Sequence, residues 1–294
     1  MKVFTTLTLC LLQILLSTGG KAQLTSDSLL IDGNFRSFHY NKPAETNSNA
    51  SLVFVLHGSG GSGKGIMKGA VKLEALSASE NLLMVYPDGY KNFWNECRRM
   101  ATSEANAKNI DENAFFSQMI DYFVKKYQVN PGRIFAIGTS GGGHMAYKLA
   151  LTMPEKLKAI SAIIANLPDS GYLDCPEKKV PVAVMITNGT SDGVNPYTGG
   201  DITISGAFWG KVRSTDQTFE YWAFLAGYRE KPKGENLPDI DPGDGKTIEK
   251  YSYSEKGKPE VVLLKVNNGK HDYPNDIDVY LESWSFFKRQ MENR

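Results

Sequence analysis

Residues 133–151 read RIFAIGTSGGGHMAYKLAL, and the fold of the chain turns on them. The first six, 133–138, form a short apolar, Ile- and Phe-containing run of the kind that sits in a strand covered on both faces. From 141 to 153 the composition shifts to Ala, Leu, Met and Lys, which favour helix. Between them stands Gly138-Thr139-Ser140-Gly141-Gly142, a G-x-S-x-G pattern with no room for a loop. A backbone that leaves a strand and enters a helix across one serine must turn sharply. Small neighbours permit that turn and leave the hydroxyl exposed. Ser140 also falls beside a helix N-terminus, whose free N–H groups favour a developing negative charge. The stretch 133–151 contains no Gly-Lys-Ser/Thr and no G-x-G-x-x-G, so these glycines do not read as a nucleotide-binding loop. On this pattern alone, a plain turn remains open.

Working outward, β-rich runs alternate with helical stretches. Strands are expected at 51–57 (SLVFVLH), 81–86 (NLLMVY, stopped by Pro87-Asp88-Gly89), 158–165, 180–187, 247–253 and 260–266. Helices are expected at 66–80, at 111–127 with Asp111 as N-cap, and at 277–290. Pro131-Gly132 should break the chain before the 133–138 strand. This alternation predicts the α/β class, with a doubly wound, mostly parallel sheet and helices on both faces.

The 294 residues suffice for a large core, and 41% hydrophobic with 22% charged residues is ordinary globular composition. Lys plus Arg number 33 and Asp plus Glu 32, which gives no reason to expect nucleic acid or an anionic membrane surface as a partner. Lys2, the uncharged apolar run 3–16 and the small residues up to Ala22 read as a secretory signal peptide over 1–22, too short in its apolar part to span a membrane. Residues 23–294 then form a single domain, secreted or periplasmic. Losing Lys2 and Lys21 changes the formal charge from +1 to −1. Cys97 and Cys175 remain, too few for a Cys-built zinc site. An oxidising compartment would let them pair, but sequence cannot show that they lie within reach, so two separate buried thiols stay equally open.

Three further places carry chemistry. His57-Gly58-Ser59-Gly60-Gly61 follows a strand, and a backbone N–H just past a His-Gly turn can point at an ester carbonyl. Ser59 N–H is the expected donor, with Gly60 second and Gly141 N–H as partner; His57 itself reads as structural. Asn188-Gly189-Thr190-Ser191-Asp192 places an acid at the end of a strand beyond the serine. Asn268-Gly269-Lys270-His271-Asp272-Tyr273-Pro274 supplies a histidine in a later loop. Of the four histidines, only His271 lies in a loop beyond both Ser140 and Asp192. His39 and His144 read as structural, although His144 sits one helical turn past the serine. The order Ser, Asp, His is that of α/β-hydrolases.

Together these pieces resemble a known group. LHGSGGSG, VYPDGYKNFWNECR, the long run DENAFFSQMIDYFVKKYQVNPGRIFAIGTSGGGHMAYKLA, NGTSDGVNPYTGG, DIDPGDGKTIEKYSY and NNGKHDYP recur in order across about residues 50–290. In this order they resemble the α/β-hydrolase fold esterases that include poly(3-hydroxybutyrate) depolymerases and the feruloyl and acetyl-xylan esterases of carbohydrate esterase family 1. The resemblance implies Ser140 as nucleophile, Asp192 as acid and His271 as base, working through an acyl-enzyme with no cofactor and no metal. It also implies that the region of Trp94 and Asn95 lines the cleft, although a buried Trp94 anchoring that loop stays equally open; Tyr273 is expected to shape the pocket, and residues 199–213 either form a rim or lid beside Asp192 or only pack over the sheet. The chain departs from the group at the His loop, at Ser59 where Cys is common, and at Gly141 where Asn is common. The implied substrate is a feruloyl or acetyl ester of plant polysaccharide. The alternatives are a hydroxyalkanoate oligomer, a serine peptidase of the same fold, which lacks a visible amine-binding acidic pair or propeller, and an inert binding protein, against which the intact trio argues.

Overall fold

The structure, a computed structural model, describes residues 23–42 and 48–292; the expected leader at 1–22 lies outside them. Its strands are β1 (Gln23–Ile31), β2 (Asn34–Lys42), β3 (Ala50–Leu56), β4 (Leu82–Pro87), β5 (Val129–Thr139), β6 (Ala159–Ile163), β7 (Ala183–Gly189), β8 (Gly200–Ile204), β9 (Ala207–Val212), β10 (Lys233–Asn236), β11 (Thr247–Tyr253) and β12 (Val261–Asn267). Its helices are α1 (Gly63–Met67), α2 (Val71–Glu74), α3 (Glu104–Ala107), α4 (Glu112–Tyr127), α5 (Gly141–Thr152), α6 (Thr215–Leu225) and α7 (Val279–Glu292).

One ten-stranded sheet runs in the order β1-β2-β4-β3-β5-β6-β7-β12-β11-β10. Its centre, from β4 to β12, is parallel, and antiparallel strands finish both edges. The central strands β3, β4, β6 and β7 are buried along their whole length, as continuous apolar runs require when both faces are covered. Helices α4, α5 and α6 pack on one face through Phe116, Met145 and Trp222. On the other face lie α2 and α7, through Leu73 and Trp284. The expected doubly wound α/β sheet is therefore present, in the strand order of α/β-hydrolases.

Local chemistry sets the ends of the elements. Asp111 caps α4 by accepting from the Ala114 N–H at 2.9 Å, as expected. Phe115, Phe116, Met119, Ile120 and Phe123 then form its buried stripe, each worth about 2 kcal/mol in transfer terms. A capping box between Ser214 and Gln217 starts α6, an element the sequence reading passed over.

Two expectations are corrected, and two stretches prove to hold strands that had not been assigned. The helix foreseen at 66–80 is two short helical segments, with a turn between them at Gly69, a weak helix former that lies beside the Tyr280 ring. Pro131-Gly132 does not break the chain; β5 runs through it, with the register against β3 shifting between Ala50 and Leu52. The residues before 34 form β1, the outer arm of a hairpin. Residues 199–213 hold a separate two-stranded ribbon, β8–β9. The open question of the cysteines is also closed: Cys97 and Cys175 form a disulfide across Cα atoms 5.1 Å apart.

Candidate active site

The turn at Ser140 is strained. Its φ of 53° and ψ of −117° place a non-glycine residue in a region costing about 1–3 kcal/mol. The surroundings hold it there. Ser140 N–H donates to Ile163 O at 2.9 Å, and His144 N–H donates to Ser140 O at 3.0 Å. A Cβ on Gly138 would run into the carbonyl of Gly142, and one on Gly142 into the carbonyl of Leu56. Both glycines of the pattern are thus required by close backbone approach.

Two loops bring the other groups to the serine. Asp192 follows β7 and His271 follows β12, neighbouring parallel strands whose C-terminal ends open on the same edge. His271 Nδ1–H donates to Asp192 Oδ2 at 2.7 Å, and Ser140 O–H donates to His271 Nε2 at 3.0 Å. The other carboxylate oxygen, Oδ1, accepts from the N–H groups of Val194 at 2.7 Å and Asn195 at 2.8 Å. Asp192 is buried, so its charge is met by three donors. The carboxylate fixes the imidazole tautomer and leaves Nε2 free to accept a proton. The Asp-Gly-Val-Asn-Pro stretch is an Asx-turn pattern, a signal through which sequence reading could have found the Val194 and Asn195 donors.

The glycine loop after β3 supplies the donors. Gly60 N–H is taken by Asn92 O at 2.8 Å and Gly61 N–H by Gly58 O at 3.0 Å. The N–H groups of Ser59 and Gly141 have no acceptor among the described residues. They are close together, since a Cβ on Gly141 would fall 2.9 Å from Ser59 N. Ser59 is therefore favoured over Gly60, whose N–H is committed. His57 braces this loop: its Nδ1–H donates to Gly58 O at 2.7 Å, and its Nε2 accepts from Gly89 N–H at 2.9 Å. Burial pushes its pKa below the usual histidine value, so the ring is neutral. His144 is buried too, with its pKa well below the usual value, first through burial and then through the nearby Arg98 charge.

The expected cleft residues stand elsewhere. Trp94 is buried, its indole N–H donating to His57 O at 2.9 Å and its ring lying 4.8 Å from the His57 ring. Asn95 is buried, with its amide donating to Asn109 Oδ1 and Ile110 O. Its N–H donates to Glu112 Oε1, and Glu112 also pairs with Arg36 at 2.9 Å. Both side chains anchor the loop after β4 because their polar atoms have inward partners, which corrects their assignment as substrate contacts. Tyr273 is half-buried, and its hydroxyl bonds Thr139 Oγ1 at 2.7 Å and Tyr280 OH at 3.0 Å. It braces the serine turn from below, rather than presenting its hydroxyl to a substrate. No spacing rule links Tyr273 to Tyr280 and Thr139, or Glu112 to Arg36, so sequence offered no signal for these partnerships. In the 199–213 ribbon, Trp209 is buried with the Arg98 guanidinium 5.0 Å from its ring centre, while Phe208 is exposed. Among the described residues no group of three or more His, Cys, Asp or Glu stands at metal-binding spacing.

Both the sequence and the fold have relatives among known proteins. The family model described as phospholipase/carboxylesterase matches residues 42–204, a stretch holding Ser59, Ser140 and Asp192. Feruloyl esterase D of Neurospora crassa is 24% identical over 277 residues, covering 88% of this chain and 83% of that protein. An acetylxylan esterase of Coprinopsis cinerea is 25% identical over 146 residues, 46% of this chain and 38% of that one. Among solved structures, acetyl xylan esterase from Aspergillus awamori superposes with a TM-score of 0.62 at 16% identity, over 89% of this chain and 99% of that one.

Proposed function

The chain belongs to the phospholipase/carboxylesterase family and is a carboxylic ester hydrolase, and from that premise we propose that it works by a Ser140–His271–Asp192 acyl-enzyme mechanism on feruloyl or acetyl esters of plant polysaccharide. The observation that carries the mechanism is the continuous relay from Ser140 Oγ through His271 to Asp192, at 3.0 and 2.7 Å. As Ser140 attacks the ester carbonyl, His271 Nε2 takes its proton and Asp192 stabilises the imidazolium. The oxyanion is held by the N–H groups of Ser59 and Gly141. His271 then protonates the leaving alcohol, and water releases the acid by the same route.

The substrate class is supported by the relatives named feruloyl esterase and acetylxylan esterase. Export from the cytoplasm, with removal of residues 1–22, is part of the same proposal. The Cys97–Cys175 disulfide supports it, since such bonds persist in oxidising compartments.

The test is hydrolysis of p-nitrophenyl acetate, methyl ferulate and acetylated xylan by the wild type beside Ser140→Ala. Activity on the last two that disappears in the variant is the expected result. Activity surviving in Ser140→Ala would overturn the mechanism, and turnover of p-nitrophenyl acetate alone would overturn the substrate class.

A further inference from the structure

Ser59 does more in this structure than carry a backbone donor. Its hydroxyl lies against the Cα of Gly141: a Cβ built there would fall 2.5 Å from Ser59 Oγ. Ser59 is half-buried, and its Oγ has no hydrogen-bond partner among the described residues. The neighbouring loop is docked on the serine turn, with Gly58 placed so that a Cβ would be 3.5 Å from the Ser140 Cβ. One residue thus brings both an uncommitted N–H and an uncommitted O–H beside Gly141, the residue that follows the nucleophile. Gly141 makes this possible: any side chain there would take the volume the hydroxyl fills, so glycine at 141 and serine at 59 are complementary.

We propose that Ser59 Oγ–H is a third oxyanion donor, a catalytic residue acting beside the N–H groups of Ser59 and Gly141. A hydroxyl rotates freely about its C–O bond, so it can turn its proton toward the oxygen as charge develops there. A hydrogen bond to a charged oxygen is about twice as strong as one between neutral groups. This role is additional to the backbone hole and rests on the serine mechanism proposed above. A side chain retained only to fill space would be replaced by alanine with little effect on rate.

The experiment compares Ser59→Ala and Ser59→Thr with the wild type, on p-nitrophenyl acetate and methyl ferulate. Removing one oxyanion donor costs about 10²–10³ in kcat in a well-studied case, and a rotating side-chain donor supplementing two backbone ones is expected to give about 10–100-fold. The loss should fall on kcat, with KM within about threefold. The inhibition constant of a trifluoromethyl ketone, which forms a charged hemiketal on the serine, should rise by the same factor as kcat/KM falls. Ser59→Thr, which keeps the hydroxyl, should retain most of the rate, and thermal unfolding of Ser59→Ala should match the wild type because the hydroxyl has no partner to lose. Labelling of Ser140 by a fluorophosphonate separates the two levels of the argument. Full labelling with a Ser59→Ala rate within twofold of wild type would overturn the third donor alone. Absence of labelling in the wild type would overturn the serine mechanism and this proposal with it.

Discussion

Gly189 and Gly269 meet backbone to backbone, so closely that a Cβ on Gly189 would enter the carbonyl groups of Gly269 and Lys270. This contact joins the loop that carries Asp192 to the loop that carries His271. Ser191 N–H donates to Gly269 O at 2.8 Å and Asn268 N–H to Thr190 Oγ1 at 2.9 Å, so the two loops are tied to each other. Gly189→Ala is therefore expected to push residues 269–271 away from Ser140. A displacement near 1 Å at reacting groups costs about 100-fold in rate. Steady-state kinetics should show that loss in kcat, and activity within threefold of wild type would show that the loops tolerate separation.

Asp192 has two separable duties, because one oxygen orients His271 and the other ties its own loop through Val194 and Asn195. Asp192→Asn can keep an oxygen for the loop amides only by presenting its NH2 to His271 Nδ1, which selects the wrong tautomer. The expected result is a fall in kcat of about 10⁴-fold with little change in thermal stability. Asp192→Ala should lose a similar rate and also melt earlier, since the Val194 and Asn195 amides are then left without their acceptor. Equal melting of the two variants would remove the second duty.

The neutral histidines set an acid limit on stability. Burial lowers the pKa of His57 and, further, that of His144, so both bind protons more readily in the unfolded chain. Their contribution is complete above the unfolded value near 6.5 and is lost as pH falls below it. Each adds a slope of about 1.4 kcal/mol per pH unit until its folded-state value is reached. For His57 the structural event is visible: protonation of Nε2 removes the acceptor for Gly89 N–H. Urea unfolding between pH 8 and 5 should show this decline, and His144→Leu should flatten it by one histidine's slope. An unchanged slope in that variant would mean that His144 takes up no proton on unfolding.

How much of this was legible in the sequence follows the range of the interactions. The turn at Ser140 was readable because its requirements are local, with a strand, two glycines forced by backbone approach and a helix all within a few residues. Continuous apolar runs such as the one in β7 announced buried parallel strands, and chain order singled out Asp192 and His271. The strand FRSFHY around His39 was readable as the inner arm of the edge hairpin, but the outer arm was not, because residues 24–29 are largely Thr, Ser and Asp and bury little. At the break in the 66–80 helix, Gly69 lies beside Tyr280, more than 200 residues away in sequence. Local propensity cannot report such a contact.

The disulfide closes a loop of 78 residues, for which the chain-entropy account gives about 4.5 kcal/mol. It also fixes the segment after Trp94 to residues 172–174, where Arg99 N–H donates to Tyr172 O and Asp174 N–H to Cys97 O. A Cys97→Ser, Cys175→Ser double variant is expected to unfold at lower urea concentration by an amount in that range. Wild type under a strong reductant should behave likewise. Identical midpoints with and without the bond would show that the unfolded chain gains little freedom from its removal.

Trp94 separates anchoring from substrate binding most cleanly. Its indole N–H is held by His57 O, and its ring lies between His57 and Phe116, at 4.8 and 6.0 Å between ring centres. Trp94→Phe keeps an aromatic ring but leaves a cavity and strands the buried His57 carbonyl, at a cost of about 2–4 kcal/mol. The midpoint of unfolding should fall accordingly. Because the side chain faces inward, the KM for methyl ferulate should stay within about twofold of wild type at temperatures where the variant is folded. A rise in KM of tenfold with no loss of stability would return Trp94 to the cleft and contradict its buried position.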